Sequence, residues 1–398
     1  MRTHGGADMA RVLIIGGGVA GTAAALALHK AGHDVTVYEA HPDTAEDIGA
    51  FLTLASNGMR ALAQLDAARA VTAVGFPLRT MRLLDDRGTE TAHVPLGEAD
   101  DALLRYRCLR RGQLNAALQR EAVRRGIDLR HGARLVSVAA HPGGVTAHFH
   151  DGSSVGGDLL VGADGLNSAV RRAVAPDVLP RYAGQRVFYG YSPFAPGEDT
   201  GHITMVRGTT AAFGYAVAPA GDTYWFARVT GEPLPAGAAR GPWRDRLVEL
   251  LRRDATPAAD IVAAGADALM ATDATDLPLG TRWRAGRTLL IGDAAHAASP
   301  ATGQGASMAL EDAVVLAKSL RDMPGIETAL SVYETIRRPR AEHNVMVSGR
   351  ISRGTHALSR TAGGPGPRPH EDVLVRQLDW DTDIRAVLDG ADGADGAD

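Results

Sequence analysis

Apolar positions along the chain fall into two rhythms. Residues 11–15 form a short β-branched run, 16–21 a glycine-rich turn, 22–31 an alanine-rich helical stretch closed by Gly32, and 34–38 a second β run. Strand, tight turn, helix and strand within about thirty residues make a βαβ unit with minimal loops. Helical spacing returns over 61–70 and 113–125. Two strand-like runs, 129–138 and 145–150, are expected to add layers to the same sheet. From 186 to 229 the pattern becomes RVFYGYSPF, HITMV, AAFGYAVAP and TYWFARV, separated by Gly, Pro and Asp turns, which predicts an antiparallel sheet. A buried parallel-type strand reappears at 289–292. Residues 306, 309, 310, 313, 314, 317 and 320 then mark one face of a helix.

Gly16, Gly18 and Gly21 spell G-x-G-x-x-G between the first strand and the first helix, with Glu39 at the end of the next strand. Gly16 permits the tight turn, Gly18 lets the backbone approach a pyrophosphate, and Gly21 lets helix pack on strand. The helix N-terminus, entered through Val19 and Ala20, attracts the negative charge. Glu39 suits a ribose hydroxyl and would repel a 2′-phosphate, so the nucleotide is expected to be FAD or NAD. The fold class is α/β: a Rossmann-type nucleotide-binding domain with an inserted substrate domain built on an antiparallel sheet. The expected division is 9–78, 101–180 and 275–340 for the discontinuous nucleotide domain, 79–100 and 181–274 for the substrate domain, and 341–388 for a C-terminal helical segment. The repeat DGADGADGAD, 389–398, has almost nothing apolar to bury and is expected to be disordered.

Composition narrows the function. A length of 398 residues calls for two domains or one large sheet with a second layer, and a net charge of -4 leaves no basic excess for nucleic acid. Cys108 is the only cysteine, which removes intrachain disulfides and thiolate metal cages and fits a reducing, cytoplasmic setting. The apolar run 12–28 is interrupted by four glycines, so no membrane span is expected, and the polar first eight residues read as a short extension before Met9. The histidines are scattered, no metal site is expected, and no G-x-S-x-G elbow is present.

Two distant segments decide between FAD and NAD. One is DLLVGADGLNSAVRR, with Asp164 and Gly165 after a strand; the other is GRTLLIGDAAHAASPATGQGASMALEDA, with Gly292 and Asp293 after a strand and Gly303 and Gly305 at a helix start. With RxxL at 111–114 and YExxRRPR at 333–340, the sequence resembles the FAD-dependent aromatic hydroxylases, the single-component flavoprotein monooxygenases typified by para-hydroxybenzoate hydroxylase. The resemblance spans residues 12 to about 340. It implies that Gly16, Gly18, Val19, Ala20, Gly21 and Glu39 hold the ADP half of FAD. Arg111 would contact the pyrophosphate and ribityl region, the Leu135 main chain would lie by the adenine, and Asp293 would accept from ribityl hydroxyls. Asp164 is a further cofactor contact in this pattern, and Gly303, Gly305 and Ala306 would set backbone N–H groups beside the flavin pyrimidine. Ser307 stands where many members carry Asn, and Ala40 where a longer polar residue is common.

The same resemblance implies an NAD(P)H-dependent monooxygenase. It would use O2 through a flavin C4a-hydroperoxide to hydroxylate or epoxidise an aromatic or electron-rich small molecule, as a monomer or homodimer. A non-oxygenating flavoenzyme, such as a reductase, shares the FAD motifs and is the alternative. A tryptophan-type halogenase would need a GWxWxIP segment and a catalytic lysine, and only Lys30 and Lys318 are lysines. Strand alternation puts Tyr224, Phe226 and Arg228 on one face and Trp225, Ala227 and Val229 on the other, without saying which face lines a cavity. Arg207, Tyr215 and Tyr224 are the candidates for substrate contact. His296 is read as structural, and no catalytic base is identifiable.

Overall fold

The opening βαβ unit forms because β1 (Arg11–Ile15) is buried from Val12 onward, as a central parallel strand must be. In the computed structural model, which describes residues 9–47, 49–98, 100–197, 200–235, 241–266, 269–354 and 371–392, α1 (Val19–Lys30) follows and β2 (Asp34–Tyr38) returns parallel to β1, Val35 opposite Val12. Helix α1 starts three residues before the expected 22, so Val19, Ala20 and Gly21 are its first turn. The chain continues through β3 (Phe51–Leu54), α2 (Ser56–Gln64), α3 (Ala68–Thr72), β4 (Phe76–Leu78), β5 (Thr80–Leu84), β6 (Glu90–Pro95), β7 (Tyr106–Arg110) and α4 (Arg111–Arg124). Next come β8 (Asp128–Arg130), β9 (Leu135–His141), β10 (Gly144–Phe149), β11 (Ser154–Gly157), β12 (Leu159–Gly162) and α5 (Ala169–Val174). The second domain brings β13 (Arg181–Ser192), β14 (His202–Arg207), β15 (Ala211–Val217), β16 (Thr223–Thr230), α6 (Trp243–Leu251), α7 (Ala258–Ala263) and β17 (Met270–Asp276). The chain then returns through β18 (Arg284–Ala285), β19 (Thr288–Leu290), α8 (Asp293–His296), α9 (Gly305–Asp322), α10 (Ile326–Ser352), α11 (Glu371–Leu378) and α12 (Ile384–Asp392).

A six-stranded sheet in the order β18-β19-β12-β1-β2-β8 is parallel except for the β18–β19 hairpin. Helices α1, α4 and α9 pack together over this sheet, and the small sheet β11-β10-β9 lies against β1 and β12. The second large sheet runs β17-β13-β16-β15-β14-β5-β6 and is antiparallel apart from the parallel pair β14–β5. Helices α6 and α7 close one of its faces around Trp225, Phe213 and Phe188.

Several sequence expectations need correction. The helical run 61–70 is two helices, because Asp66 takes a left-handed conformation (φ 55°) and Ala67 donates back to the Leu62 carbonyl 2.9 Å away. The run 129–138 does not stay on one sheet. Gly132 (φ 72°) turns the chain, so β8 joins the parallel sheet while β9 leads a separate three-stranded one. The segment after 340 does not begin a new unit, since α10 runs on to Ser352. In the tail, α12 extends to Asp392, past the expected limit at 388, and residues 393–398 lie outside the described residues.

The C-terminal helices dock through the two lysines. Lys318, fully buried on α9, donates to the carbonyls of Gln377 (2.8 Å) and Asp379 (2.5 Å) at the end of α11, where the helix dipole favours a cation. Lys30 and Arg321 each lie 4.9 Å from the Trp380 ring. Lys318→Met should therefore cost about 2 kcal/mol, the order expected for hydrogen bonds from a charged donor. Limited proteolysis is expected to cut first near the C-terminal helices while FAD binding persists; an unchanged denaturation midpoint would contradict the docking role.

Candidate cofactor and substrate site

The glycine turn is fixed by contacts that no side chain could share. A Cβ on Gly21 would sit 1.9 Å from the Gly16 carbonyl oxygen, and one on Gly16 (φ 106°) would meet the Ala163 carbonyl at 2.5 Å. Gly18 is different, because its Cβ direction meets nothing within 4 Å, leaving open space before the N-terminus of α1. Glu39 ties this turn to β2, accepting from the Gly17 N–H (2.6 Å) and the His41 N–H (2.6 Å). Gln119 on α4 donates to the Gly17 carbonyl at 2.6 Å while its own buried Oε1 has no partner among the described residues.

The other motif residues arrive from distant elements. The Gly292 Cα lies against Ala20, placing Asp293 beside the first turn of α1. Asp293 is exposed and, among the described residues, has neither an ion pair nor a hydrogen bond, and its Oδ1 lies 4.0 Å from where a Gly305 Cβ would be. Gly303 (φ 66°) ends a 3-10 turn, Pro300–Thr302, and leads into α9, whose first residues are Gly305 and Ala306. Arg111 opens α4 and packs against Gly49. Leu135 begins β9 opposite Phe149, whose ring lies 4.7 Å from Tyr38. Asp164 also has a structural task. Its oxygens accept from Ser168 (2.5 Å), the Ala169 N–H (2.6 Å) and the Val170 N–H (3.1 Å), so the carboxylate that the sequence offered as a cofactor contact is engaged in starting α5. Ser307, fully buried, accepts from the Ala55 N–H at 3.2 Å and locks α9 to the start of α2.

Beneath this cradle lies a buried charge network that sequence reading passed over, although its members stand in the motifs. Arg337 donates to Asp312 (2.8 Å) and Glu311 (2.6 Å), all three fully buried. Glu311 also accepts from Arg340 and Asn57, and Asp312 from the Gly292 N–H (2.9 Å), with His296 Nε2 at 2.6 Å from it. Burial alone would raise the Asp312 carboxyl, but His296 and Arg337 outweigh it and hold it down at about 2. His296 is thus a structural partner, its ring tilted against Trp283 with centroids 5.2 Å apart.

The substrate sheet separates its faces cleanly. Tyr189, Tyr191, Tyr224 and Phe226 project toward the first domain, where Phe51 of β3 lies 5.7–6.4 Å from all four rings. Phe76 adds a contact to Tyr224 at 5.4 Å, and the Arg110 guanidinium covers Tyr191 at 4.4 Å. Burial pushes the Tyr189 and Tyr191 hydroxyls up to about 12, so both stay protonated donors. Tyr224 faces this aromatic cleft. Tyr215 does not. It pairs with Trp225 across the strands, is 1% exposed, and packs in the core under α6 and α7, which corrects its candidacy for substrate contact. Arg207 shares the cleft face through its pairing with Ala212 but is exposed at the end of β14. Among the described residues no group of three or more His, Cys, Asp or Glu side chains could hold a metal, and none of the helices is long and apolar enough to cross a membrane. His148 and His150 stand two apart on and beside β10, and His148 bonds Ser154 (2.7 Å).

Comparison with known proteins agrees with this geometry. A family model described as an FAD binding domain matches residues 9–348. Aurachin C monooxygenase/isomerase of Stigmatella aurantiaca is 34% identical over 85% of this chain and 88% of its own length. The 3-amino-4-hydroxybenzoate 2-monooxygenase of Streptomyces cremeus is 33% identical over 83% and 84%. Among solved structures, Klebsiella pneumoniae HpxO with FAD and uric acid superposes with a TM-score of 0.77 at 30% identity, covering 96% of each chain. The chain belongs to the FAD-dependent aromatic hydroxylase family and is an FAD-binding flavoprotein monooxygenase.

The network sets two expectations. Asp312→Asn should lower stability by about 3–5 kcal/mol, because a buried cation loses its partner. In the wild type, Asp312's folded value lies below the ordinary aspartate value near 3.9, so its contribution is complete above about pH 4 and fades as pH falls toward about 2. Denaturant titrations at stepped pH check both; a variant as stable as wild type at pH 7 would refute the role given to the network.

Proposed function

We propose that this enzyme uses NADH or NADPH and O2 to oxygenate an aromatic small molecule held between the residue 300–306 segment and the aromatic face of the second sheet. The observation that carries this reading is that β3 joins the two halves of the site: its Phe51 meets Tyr189, Tyr191, Tyr224 and Phe226, and its Thr53 lies against Gly303. The substrates in the relatives' names, aurachin C, 3-amino-4-hydroxybenzoate and urate, support an aromatic or heteroaromatic ring. Hydroxylation, or epoxidation of a ring double bond, fits that class. A monomer or homodimer in the cytoplasm completes the reading, in keeping with a single buried thiol at Cys108.

The residues present fit FAD. Gly18 offers unfilled space at a helix N-terminus for a pyrophosphate, Glu39 retains lone pairs for ribose hydroxyls, and the unpaired Gln119 Oε1 lies in the same region. Asp293 is placed to accept from the ribityl chain, and Arg111 to neutralise phosphate charge. Gly303, Gly305 and Ala306 would turn backbone N–H groups toward the pyrimidine edge, where the start of α9 favours negative charge. Bound FAD supplies hydride acceptance and oxygen activation. The protein's share is to orient the ring with Tyr189 and Tyr191 as donors and to exclude water with the surrounding aromatics. Only one dinucleotide fingerprint is present, so the nicotinamide cofactor would visit transiently.

Two measurements test this reading. Asp293→Ala should weaken FAD binding by about tenfold, or about 1.4 kcal/mol, with the thermal midpoint of the apoprotein unchanged; equal FAD affinity would remove the ribityl role. NADH and NADPH oxidation with O2 uptake across phenols, aromatic acids and heteroaromatic metabolites, peroxide assayed in parallel, should show stimulation by an aromatic compound with little peroxide and an oxygenated product. FAD reduction that no compound stimulates would favour a reductase instead.

A further inference from the structure

Arg228 is a buried guanidinium that the fold leaves without a counter-charge. It is 9% exposed on the cleft face of β16, and no carboxylate among the described residues pairs with it. Among the described residues its Nε has no hydrogen-bond partner, and its one acceptor is the Ala301 carbonyl at 3.5 Å, the outer limit of a hydrogen bond. Its cross-strand neighbours on this face are Val187 and Ala212, neither of whose side chains can accept from it. The guanidinium lies 5.7 Å from the Phe226 ring, so it borders the aromatic cleft, and the contact to Ala301 places it at the segment leading to Gly303. A buried cation in this condition is costly unless an anion joins it.

Resting on the monooxygenase reading above, we infer that Arg228 is the anion anchor of the substrate site: the ring carries a carboxylate or another acidic oxygen that pairs with Arg228 beside the residue 300–302 turn. A planar guanidinium with a free edge suits bidentate pairing with such a group. Arg110 is the other cation at the cleft, but it stacks over Tyr191 and, more distantly, over Tyr224, at the opposite end of the aromatic row. Arg228 therefore fixes which end of the substrate meets the flavin side.

Ligand binding reads this without turnover. FAD-loaded wild type, Arg228→Gln, Arg228→Lys and Arg110→Gln are titrated with anthranilate against anthranilamide and 4-hydroxybenzoate against 4-hydroxybenzamide, following the flavin absorbance and the thermal midpoint. Wild type should prefer acid over amide by about tenfold, the preference should vanish in Arg228→Gln while amide affinity moves less than about threefold, and Arg228→Lys should keep part of it. A structural role alone would weaken acid and amide equally. The inference is overturned if wild type shows no acid preference, if the preference survives in Arg228→Gln, or if Arg110→Gln abolishes it in place of Arg228→Gln. It is also overturned if Arg228→Gln leaves the ratio intact and lowers the flavin midpoint potential, which would assign the cation to the reduced cofactor. Failure of turnover with every compound bears on the oxygenation reading and leaves these binding ratios informative.

Discussion

The position of α9 depends on the buried guanidinium of Arg337. A cation without solvent is tolerable only with its charge matched and its N–H groups used, and Glu311, Asp312 and the Met308 carbonyl supply all three acceptors from successive turns of α9. Arg337 therefore clamps one helix by its side, and any rotation of α9 would strand a carboxylate in an apolar interior. Asp312 extends the clamp to the Gly292 N–H and His296. The turn that presents Asp293 and the helix start that presents Gly305 are thereby referenced to a single charged centre.

That centre is also coupled to the second domain. Helix α10 carries Arg337 in its middle and, further along, Asn344, Ser348 and Ser352. These bond Thr302 and Ser299 in the loop before Gly303, with distances of 2.7–2.8 Å for the hydroxyl and amide pairs. At its end Arg353 reaches Asp276 on the edge strand of the substrate sheet at 2.6 Å. One helix thus sets both the loop expected to face the flavin and the sheet expected to face the substrate. Positioning reacting partners from a shared rigid element reduces the orientational freedom that would otherwise slow the reaction.

The parts of this molecule written in local chemistry were legible in the sequence. The βαβ unit, its glycines and Glu39 act through contacts within about thirty residues, and each is dictated by a steric or hydrogen-bonding need visible in the letters. The motif at 286–313 was legible as a segment, but the reason for its ED pair at 311–312 and for the arginines at 337 and 340 was not, since a buried ion network joins residues whose periodicity also suits an ordinary amphipathic helix. Strand alternation divided Tyr224 from Trp225 correctly and could not say which face was covered. That is why Tyr215 was grouped with Tyr224: the aromatic content of β15 is the same whether it faces α6 or the cleft. Asp164 carries a similar ambiguity, because a carboxylate after a strand can start the next helix or meet a ligand, and its distances to Ala169 and Val170 establish the first of these uses.

The charge of the cleft runs against that of the chain. The whole protein carries a net charge of -4, yet Arg110 and Arg228 border the aromatic face. Beyond roughly 10 Å in physiological salt the surface fields are screened, so the overall negative charge has little hold on an acid that has reached the site. Within the cleft the surroundings are aromatic rings and protonated tyrosines, and a cation there acts at short range in a medium of lower dielectric. Selection between an acid and its neutral analogue is then a matter of one or two buried contacts, not of long-range steering. The same cation disfavours the reverse arrangement, a cationic substrate, at the one place where it would meet Arg228.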